Sequence, residues 1–360
     1  MSLLIFIAIL VALIWVHELG HFSVAKLFGI RVDEFAIGFP PRLLTVQWGE
    51  TRYSFNLLLI GGYVSIYGEN PGEGDDPRSL THKNRAIQAL VLFAGIFFNI
   101  AFAWLLLAGG YMAGLPTSEG SNTFGEVKEV APTVVALIPD SPAMKAGLMQ
   151  GDVVQAAETA TTQLSADATA IEVQSFITAH PEETILLHVL RDGEAHTIAA
   201  RPAEGIVEGR KALGVQLSDV GTLALPFHLA LGEAAIVASN LTVATVHGLG
   251  SLIAGAVTGS ANLNDVAGPI GIASVGTEAV QTGVTATLFI TVLISINLAI
   301  VNLLPIPGLD GGRLFILLIE SVIRRPVAPQ WVTRFTLAGF AFILVVFVLV
   351  SVNDITRLVG

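Results

Sequence analysis

The sequence predicts a multi-span α-helical membrane protein with four transmembrane helices, a membrane-associated β-hairpin region and one inserted α+β domain. Three observations carry that prediction. Hydrophobic residues make up 53% of the 360 and charged residues only 13%, against about 25% charged in a soluble domain. Four stretches lack Asp, Glu, Lys and Arg and approach or exceed the roughly 20 residues that hydrocarbon requires. Between the second and third of them lies a polar, acidic segment with a different pattern.

The first stretch precedes Glu18 and crosses the bilayer if the helix runs on to about Ala25, because backbone groups in lipid must be satisfied within a helix. A cleaved signal peptide would need a basic start and a small-residue cleavage site. Met1-Ser2-Leu3-Leu4 supplies no positive charge, and His17-Glu18 stands where cleavage would fall. "FGIRVDEFAIGFPPRLLTVQWGETRYSFNLLLIGGYVSIYGEN" then alternates apolar and polar residues between Gly and Pro punctuation, which predicts short strands and hairpins. "NPGEGDDPRS" at 70–79 reads as a polar loop, and a second span follows over roughly 86–115.

Residues 119–205 predict a compact mixed domain. "VVALIPDSPAMKAGLMQGDVV" reads as strand, turn, short helix and strand, and "AIEVQSFITAH" as helix. "TILLHVLRDGEAHTIAARP" reads as a hairpin turning at Asp192-Gly193. Residues 206–283 form a linker whose apolar stretch, 223–263, suits either a fifth span or an amphipathic helix lying on the membrane surface. "NDVAGPIGIAS" at 264–274 is a Gly/Pro break. The last two spans lie between Glu278 and Asp310 and between Arg334 and Asp354. The expected layout is therefore 1–118, 119–205, 206–283 and 284–360. Zero cysteines exclude disulfides and thiolate ligands. No basic patch with interleaved aromatics exists, so nucleic acid is not an expected partner.

Ionisable groups inside a span are costly and call for a function. "IWVHELGHFSVAK" at 14–26 places two histidines and a glutamate before its closing Lys26. His17 and His21, four residues apart, share one face of a helix, about one turn from each other. Two imidazoles so placed can bind one Zn²⁺, with Glu18 beside them as a general base. The competing reading, an inert hydrogen-bonded helix contact, is cheap in a soluble chain and expensive in lipid. A catalytic zinc needs a third protein ligand. Asp310, in "SINLAIVNLLPIPGLDGGRLF", is the best candidate as the first carboxylate after 31 uncharged residues. Pro305 and Pro307 break the helix just before it, which membrane depth tolerates only inside protein or beside a cavity. Asn302 precedes the break with an amide that donates or accepts. Alternatively, Asp310-Gly311-Gly312 is a plain turn at the membrane exit.

Together, "HELGH" and "NLLPIPGLDGG" resemble the two signatures of the site-2 protease family of intramembrane zinc metalloproteases, and the likeness covers nearly the whole chain. "IGGYVSIYGE" resembles that family's membrane-associated hairpin, and "AGIFFN" at 94–99 its second-span motif. "SPAMKAGLMQGD" resembles bacterial PDZ modules through Pro142, Ala143, Gly147, Gly151 and Asp152. With "VAGPIGIA" these fall in the order of the bacterial subgroup similar to the regulator-of-sigma-E protease, here with one PDZ domain. The resemblance implies that His17, His21 and Asp310 are zinc ligands, that Glu18 is the catalytic base, and that Asn302 holds substrate or the developing oxyanion. The chain departs from the family pattern at Ile96, where proline is common, and at Arg313, where many members carry histidine.

Charge distribution sets the expected orientation. Residues 26–86 carry seven Lys/Arg and 313–334 carry four, whereas 119–219 carry six against fifteen Asp/Glu. The first two regions are therefore expected in the cytoplasm of a bacterial inner membrane and the acidic domain outside it. If 223–263 also crossed, Asp310 would end on the wrong face, so a surface helix is expected there. The expected activity is metal-dependent cleavage of single-span membrane proteins, with anti-sigma factors or remnant signal peptides as substrates. An unwound substrate would add as a strand near Gly61 and Gly62. The PDZ-like domain would bind an exposed terminus or act as a size filter. Membrane lipid is the remaining partner. A zinc transporter and a catalytically dead scaffold are the rival classes.

Overall fold

The computed structural model describes residues 1–69, 76–165, 167–191, 193–207, 209–260 and 267–359. The chain divides into two compact units, 1–108 with 234–360 and the intervening 109–233. Among the described residues, five helices are long and apolar enough to cross a membrane.

The first unit opens with α1 (Ser2–Leu27), which runs unbroken through the HELGH group, as a backbone in lipid requires. Two long strands follow, β1 (Val32–Trp48) and β2 (Thr51–Ile66), where short strands were expected from the punctuation. Both strands fold back along their length. Phe35 pairs with Val64 on one side and Tyr53 on the other, and Ile37 pairs with Gly62 and Phe55. The internal Gly and Pro residues thus mark irregularities within strands rather than strand ends. Glu34 ties the fold-back together, accepting from Arg42 Nε and Nη2 at 3.0 and 2.7 Å and from Ser54 Oγ.

α2 (Arg85–Ala113) lies close against α1. A Cβ on Gly20 would stand 2.5 Å from the Ala94 carbonyl oxygen, so glycine allows the two backbones to meet. After α5 (Phe227–Thr258), the uncharged stretch before Asp310 holds the expected span-length helix, preceded by the last turn of a shorter one. α6 (Pro269–Thr282) ends at Gly283, whose φ of 132° suits glycine, and α7 (Val284–Leu303) begins there. α8 (Asp310–Ile323) and α9 (Pro329–Val359) complete the unit. α6 is pinned at both ends. Asp354, near the end of α9, accepts from Gly268 N at 3.0 Å and Gly271 N at 2.8 Å, capping the α6 N-terminus. Gly276 leaves room for the Phe6 ring of α1.

The second unit holds a six-stranded sheet in the order β3 (Leu115–Ser118), β10 (Val215–Leu223), β4 (Lys128–Leu137), β5 (Val153–Glu158), β6 (Ile185–Arg191), β7 (Glu194–Ala200). The short helix α3 (Pro142–Lys145), the helix α4 (Ala170–Ala179) and a β8 (Ala203–Val207)–β9 (Arg210–Ala212) hairpin complete it. The sheet takes in strands on both sides of 119–205, because β10 is the partner of both β3 and β4. Val154, Val173, Phe176 and Leu187 are buried in its core. Thr169 and Glu172 form a capping box that starts α4. In "KAGLMQGD", Gly147 and Gly151 turn with positive φ so that buried Asp152 meets Arg191 Nε at 2.7 Å. Asp192 of the expected β6–β7 turn, residues 70–75 of the expected polar loop and 264–266 of the expected break lie outside the described residues.

Candidate active site

α1 presents His17 and His21 one turn apart, both buried. Their position is deep. The nine residues from Glu18 to the helix end at Leu27 correspond to roughly 14 Å at 1.5 Å each. α7 stops at Leu303 because Pro305 and Pro307 cannot continue it, and Leu304 is extended with ψ 143°. The chain then doubles back over 304–309. Glycine makes that reversal possible, since a Cβ on Gly312 would stand 2.8 Å from the Ile306 carbonyl carbon. α9 closes over the segment at Gly339, where a Cβ would stand 2.6 Å from the Pro307 carbonyl carbon. The unwound backbone thus packs against α9 at Pro307 and lines the cavities at Gly308 and Leu309, one of the two settings in which membrane depth tolerates it.

The reversal delivers Asp310 to the two histidines. Its Oδ2 lies 2.9 Å from His17 Nε2 and 3.3 Å from His21 Nε2, and the two Nε2 atoms are 3.2 Å apart. One ligand atom from each of these three residues falls within 4.8 Å of the others. Two imidazoles and one carboxylate form a donor set suited to a catalytic Zn²⁺ with one position left open. The surroundings fit a metal as well. Gly95 of α2 faces the cluster, and a Cβ there would stand 2.7 Å from His17 Cε1 and 2.8 Å from His17 Nε2.

Two cavities share this cluster. One, of about 200 Å³, is lined by Ile14, His17, Glu18, Leu298, Asn302 and Asp310 among others. The second, of about 240 Å³, adds His21, Tyr63, Val64, Glu69 and Arg313. Glu18 faces both, and the Val64 amide of β2 points at its carboxylate. Asn302 Nδ2 lies 3.5 Å from His17 Nε2, near enough to reach a group bound at the cluster. Gly62 is a neighbour of Glu18, since a Cβ there would stand 3.6 Å from Glu18 Cγ. Gly61 is not brought to the site. It faces the Phe39 ring instead, because adjacent strand residues point to opposite faces. Arg313 forms an ion pair with Glu69 at the second cavity. Asn297 is exposed and lines neither cavity.

Several contributors had only weak signals in the sequence. The Val91 carbonyl, 2.8 Å from His21 Nδ1, has no side-chain signature at all. Asn99, fully buried with Nδ2 3.3 Å from His17 Nδ1, and Gly95 both belong to "AGIFFN". Gly20, inside HELGH, sets the helix crossing. Of the remaining histidines, His188 pairs with Glu158 at 3.1 Å and His82 with the Asp76 carbonyl at 2.8 Å, both by surface contacts.

A bundle of apolar helices that brings a His-Glu-x-x-His pair against a third-ligand carboxylate defines a class, the membrane-embedded metallohydrolases. The model for peptidase family M50 matches residues 5–346, and the chain belongs to that family, the site-2 proteases. A Clostridium perfringens protein, provisionally named a zinc metalloprotease, is 34% identical, covering 96% of this chain and 95% of its own length. The zinc metalloprotease RasP of Oceanobacillus iheyensis is 27% identical over 98% of both chains. A chloroplast protein of Arabidopsis thaliana, provisionally named a membrane metalloprotease, is 33% identical over 88% of this chain and 70% of its own. The protein is a zinc metalloprotease and a multi-pass membrane protein.

Proposed function

We propose that this protease cleaves peptide bonds within transmembrane segments of single-span proteins in the bacterial cytoplasmic membrane. The observation that carries the proposal is the place of the His17–His21–Asp310 cluster, about two to three turns before the end of apolar α1 and beside an unwound segment that lines its cavities. His17, His21 and Asp310 would hold the zinc, which supplies Lewis acidity that polarises the scissile carbonyl. Glu18 takes a proton from the attacking water and returns it to the leaving amine. Asn302 donates to the carbonyl oxygen as charge develops there. β2 receives the unwound substrate along its edge near Gly62 and Val64, where Tyr63 and Val64 line the second cavity.

The test compares wild type with Glu18→Gln on a membrane substrate in reconstituted vesicles. Cleavage is expected to disappear while zinc content stays at one per chain. Unchanged product yield would reject the protease, and ligand-dependent zinc flux would favour a transporter. Val64→Pro is expected to abolish cleavage with zinc retained, and normal cleavage would remove strand addition from the scheme.

Four spans, with α5 on the outer surface, fit the contacts of the first unit. α6 begins where α9 ends, through Asp354, and packs on the start of α1, through Phe6. It therefore belongs to the outer face if Lys26 and the basic region after it are cytoplasmic. A crossing α5 would deliver the chain to the inner face, opposite the face on which these contacts put α6.

The second unit reads best as an extracytoplasmic PDZ-like module that takes a chain terminus. β3 covers only Val220–Leu223 of β10, leaving the edge around Val215–Ser218 next to α4, where Gln174 Nε2 reaches Leu217 O at 3.3 Å. A peptide could add there as a strand.

A further inference from the structure

The two histidines are held differently, and the difference points to a residue outside the ligand set. For Nε2 of an imidazole to serve as a metal ligand, the ring proton must sit on Nδ1, and the group facing Nδ1 must accept it. His21 meets this condition through the Val91 carbonyl at 2.8 Å. His17 Nδ1 faces the Asn99 carboxamide, with Nδ2 at 3.3 Å, while Asn99 Oδ1 is buried without a donor. Asn99 is 0% exposed, so water does not satisfy that oxygen. An orphaned acceptor and a ring proton in need of one thus occupy the two ends of one contact. A half-turn of the carboxamide, whose O and N have the same shape, places Oδ1 on His17 Nδ1–H.

We infer that Asn99 is the positioning residue for His17, accepting from Nδ1–H through its carboxamide oxygen and so fixing Nε2 towards the metal. The inference rests on His17, His21 and Asp310 being the zinc ligands. A packing role alone is a poor account of the residue. The contact that ties α2 to α7 here runs from Ser295 Oγ to the Asn99 backbone carbonyl at 2.8 Å and needs no particular side chain.

The experiment measures zinc affinity of full-length protein in detergent by competition with a chromophoric chelator. Asn99→Leu, similar in volume and without an acceptor, is expected to weaken zinc binding roughly 10–100-fold. Asn99→Asp, which restores an acceptor of the same size, is expected to bind within a few-fold of wild type or tighter. A melting curve of the zinc-free proteins separates misfolding from lost affinity. If Asn99→Leu fails to fold, Asn99→Asp still decides, because affinity far below wild type overturns the inference. So does wild-type affinity in Asn99→Leu, or equal weakening in both variants. His21→Ala in the same assay keeps the two readings apart. If it leaves affinity unchanged, the ligand assignment itself fails. If it removes zinc while Asn99→Leu does not, only the role of Asn99 is lost.

Discussion

Gly95→Ala adds one methyl group and should disable the site. The new carbon would stand 2.7 Å from His17 Cε1 and 2.8 Å from His17 Nε2, where ordinary contact begins at 3.4 Å, and closer still to His21 Nε2. Something must move by roughly 1 Å to clear His21 Nε2, and close-packed interiors offer few ways to do so. His21 is held by Val91 and His17 by Asn99, and α1 cannot back away as a unit without opening the Gly20–Ala94 contact. The rings themselves must give. A misplacement near 1 Å costs about 10²-fold in rate, or about 2.7 kcal/mol of barrier. The assay is turnover of a membrane substrate alongside zinc affinity, and both should fall at least tenfold. Gly109→Ala in the same helix is the control, because nothing lies within 4 Å of its Cβ position. It should remain active, and slightly stabilised by alanine's higher helix propensity. Wild-type zinc affinity and turnover in Gly95→Ala would refute the geometry of the α1–α2 crossing.

Three further outcomes are expected. Asp354→Ala leaves the amides at the start of α6 without their acceptors, at a cost of roughly 1–3 kcal/mol, whereas Asp354→Asn, which keeps one of the two accepting oxygens, should recover only part of it; thermal denaturation in detergent reads both. Burial raises the pKa of Glu34, but hydrogen bonds from Arg42 and Ser54 outweigh it and hold the carboxyl below its ordinary value. Its stabilisation is therefore complete above the ordinary carboxylate range and lost as pH falls through the depressed pKa. Protease resistance of the β1–β2 region should decline in acid for wild type and change less for Glu34→Gln. Because the chain has no cysteine, Ser260→Cys provides a single label site. An impermeant maleimide should reach it from outside intact spheroplasts, and labelling only after permeabilisation would make α5 a fifth span.

What the sequence revealed and what it concealed divide along physical lines. Side chains whose chemistry is expensive in lipid announced themselves, so His17, Glu18, His21 and Asp310 stood out as candidates, and the fold brings His17, His21 and Asp310 together. The two prolines before Asp310 made the unwound segment legible for the same reason. Contacts made by backbone left no trace, which is why the Val91 carbonyl and the Asp354 cap of α6 could not be foreseen. Charge counting also overran one boundary. Residues 279–309 are uninterrupted by charge, yet the helix spans only Val284–Leu303 of them, and Gly283 ends the linker where the expected layout put the boundary. Alternation misled in the strands, where glycine and proline mark bends inside β1 and β2 as readily as their ends. Gly61 and Gly62 look alike as letters, but the two-residue period of a strand sends only one of them to Glu18.

The glycines in and around the two signatures carry as much of the site as its ligand candidates do. A zinc site needs donor atoms from distant parts of the chain within a few ångströms, and helices with full side chains pack 8–10 Å apart. Gly20 and Gly95 bring α1 and α2 together so that both imidazoles and their Nδ1 partners lie in one layer. Gly312 and Gly339 let the chain reverse after α7 so that Asp310 returns to the depth of the histidines. Each position excludes a Cβ by direct collision. Any alanine among them should therefore impair zinc binding while removing no ligand, and the loss should scale with how short each contact is. By that measure Gly312, pressed against the Ile306 carbonyl, should be the least tolerant of the positions flanking Asp310 on its helical side after Gly311, whose Cβ would enter the Leu303 carbonyl. Zinc affinity across the series Gly20→Ala, Gly95→Ala, Gly311→Ala and Gly312→Ala checks this. Equal affinities throughout would mean that the helices relax to absorb a methyl group and that close crossing is incidental to the metal site.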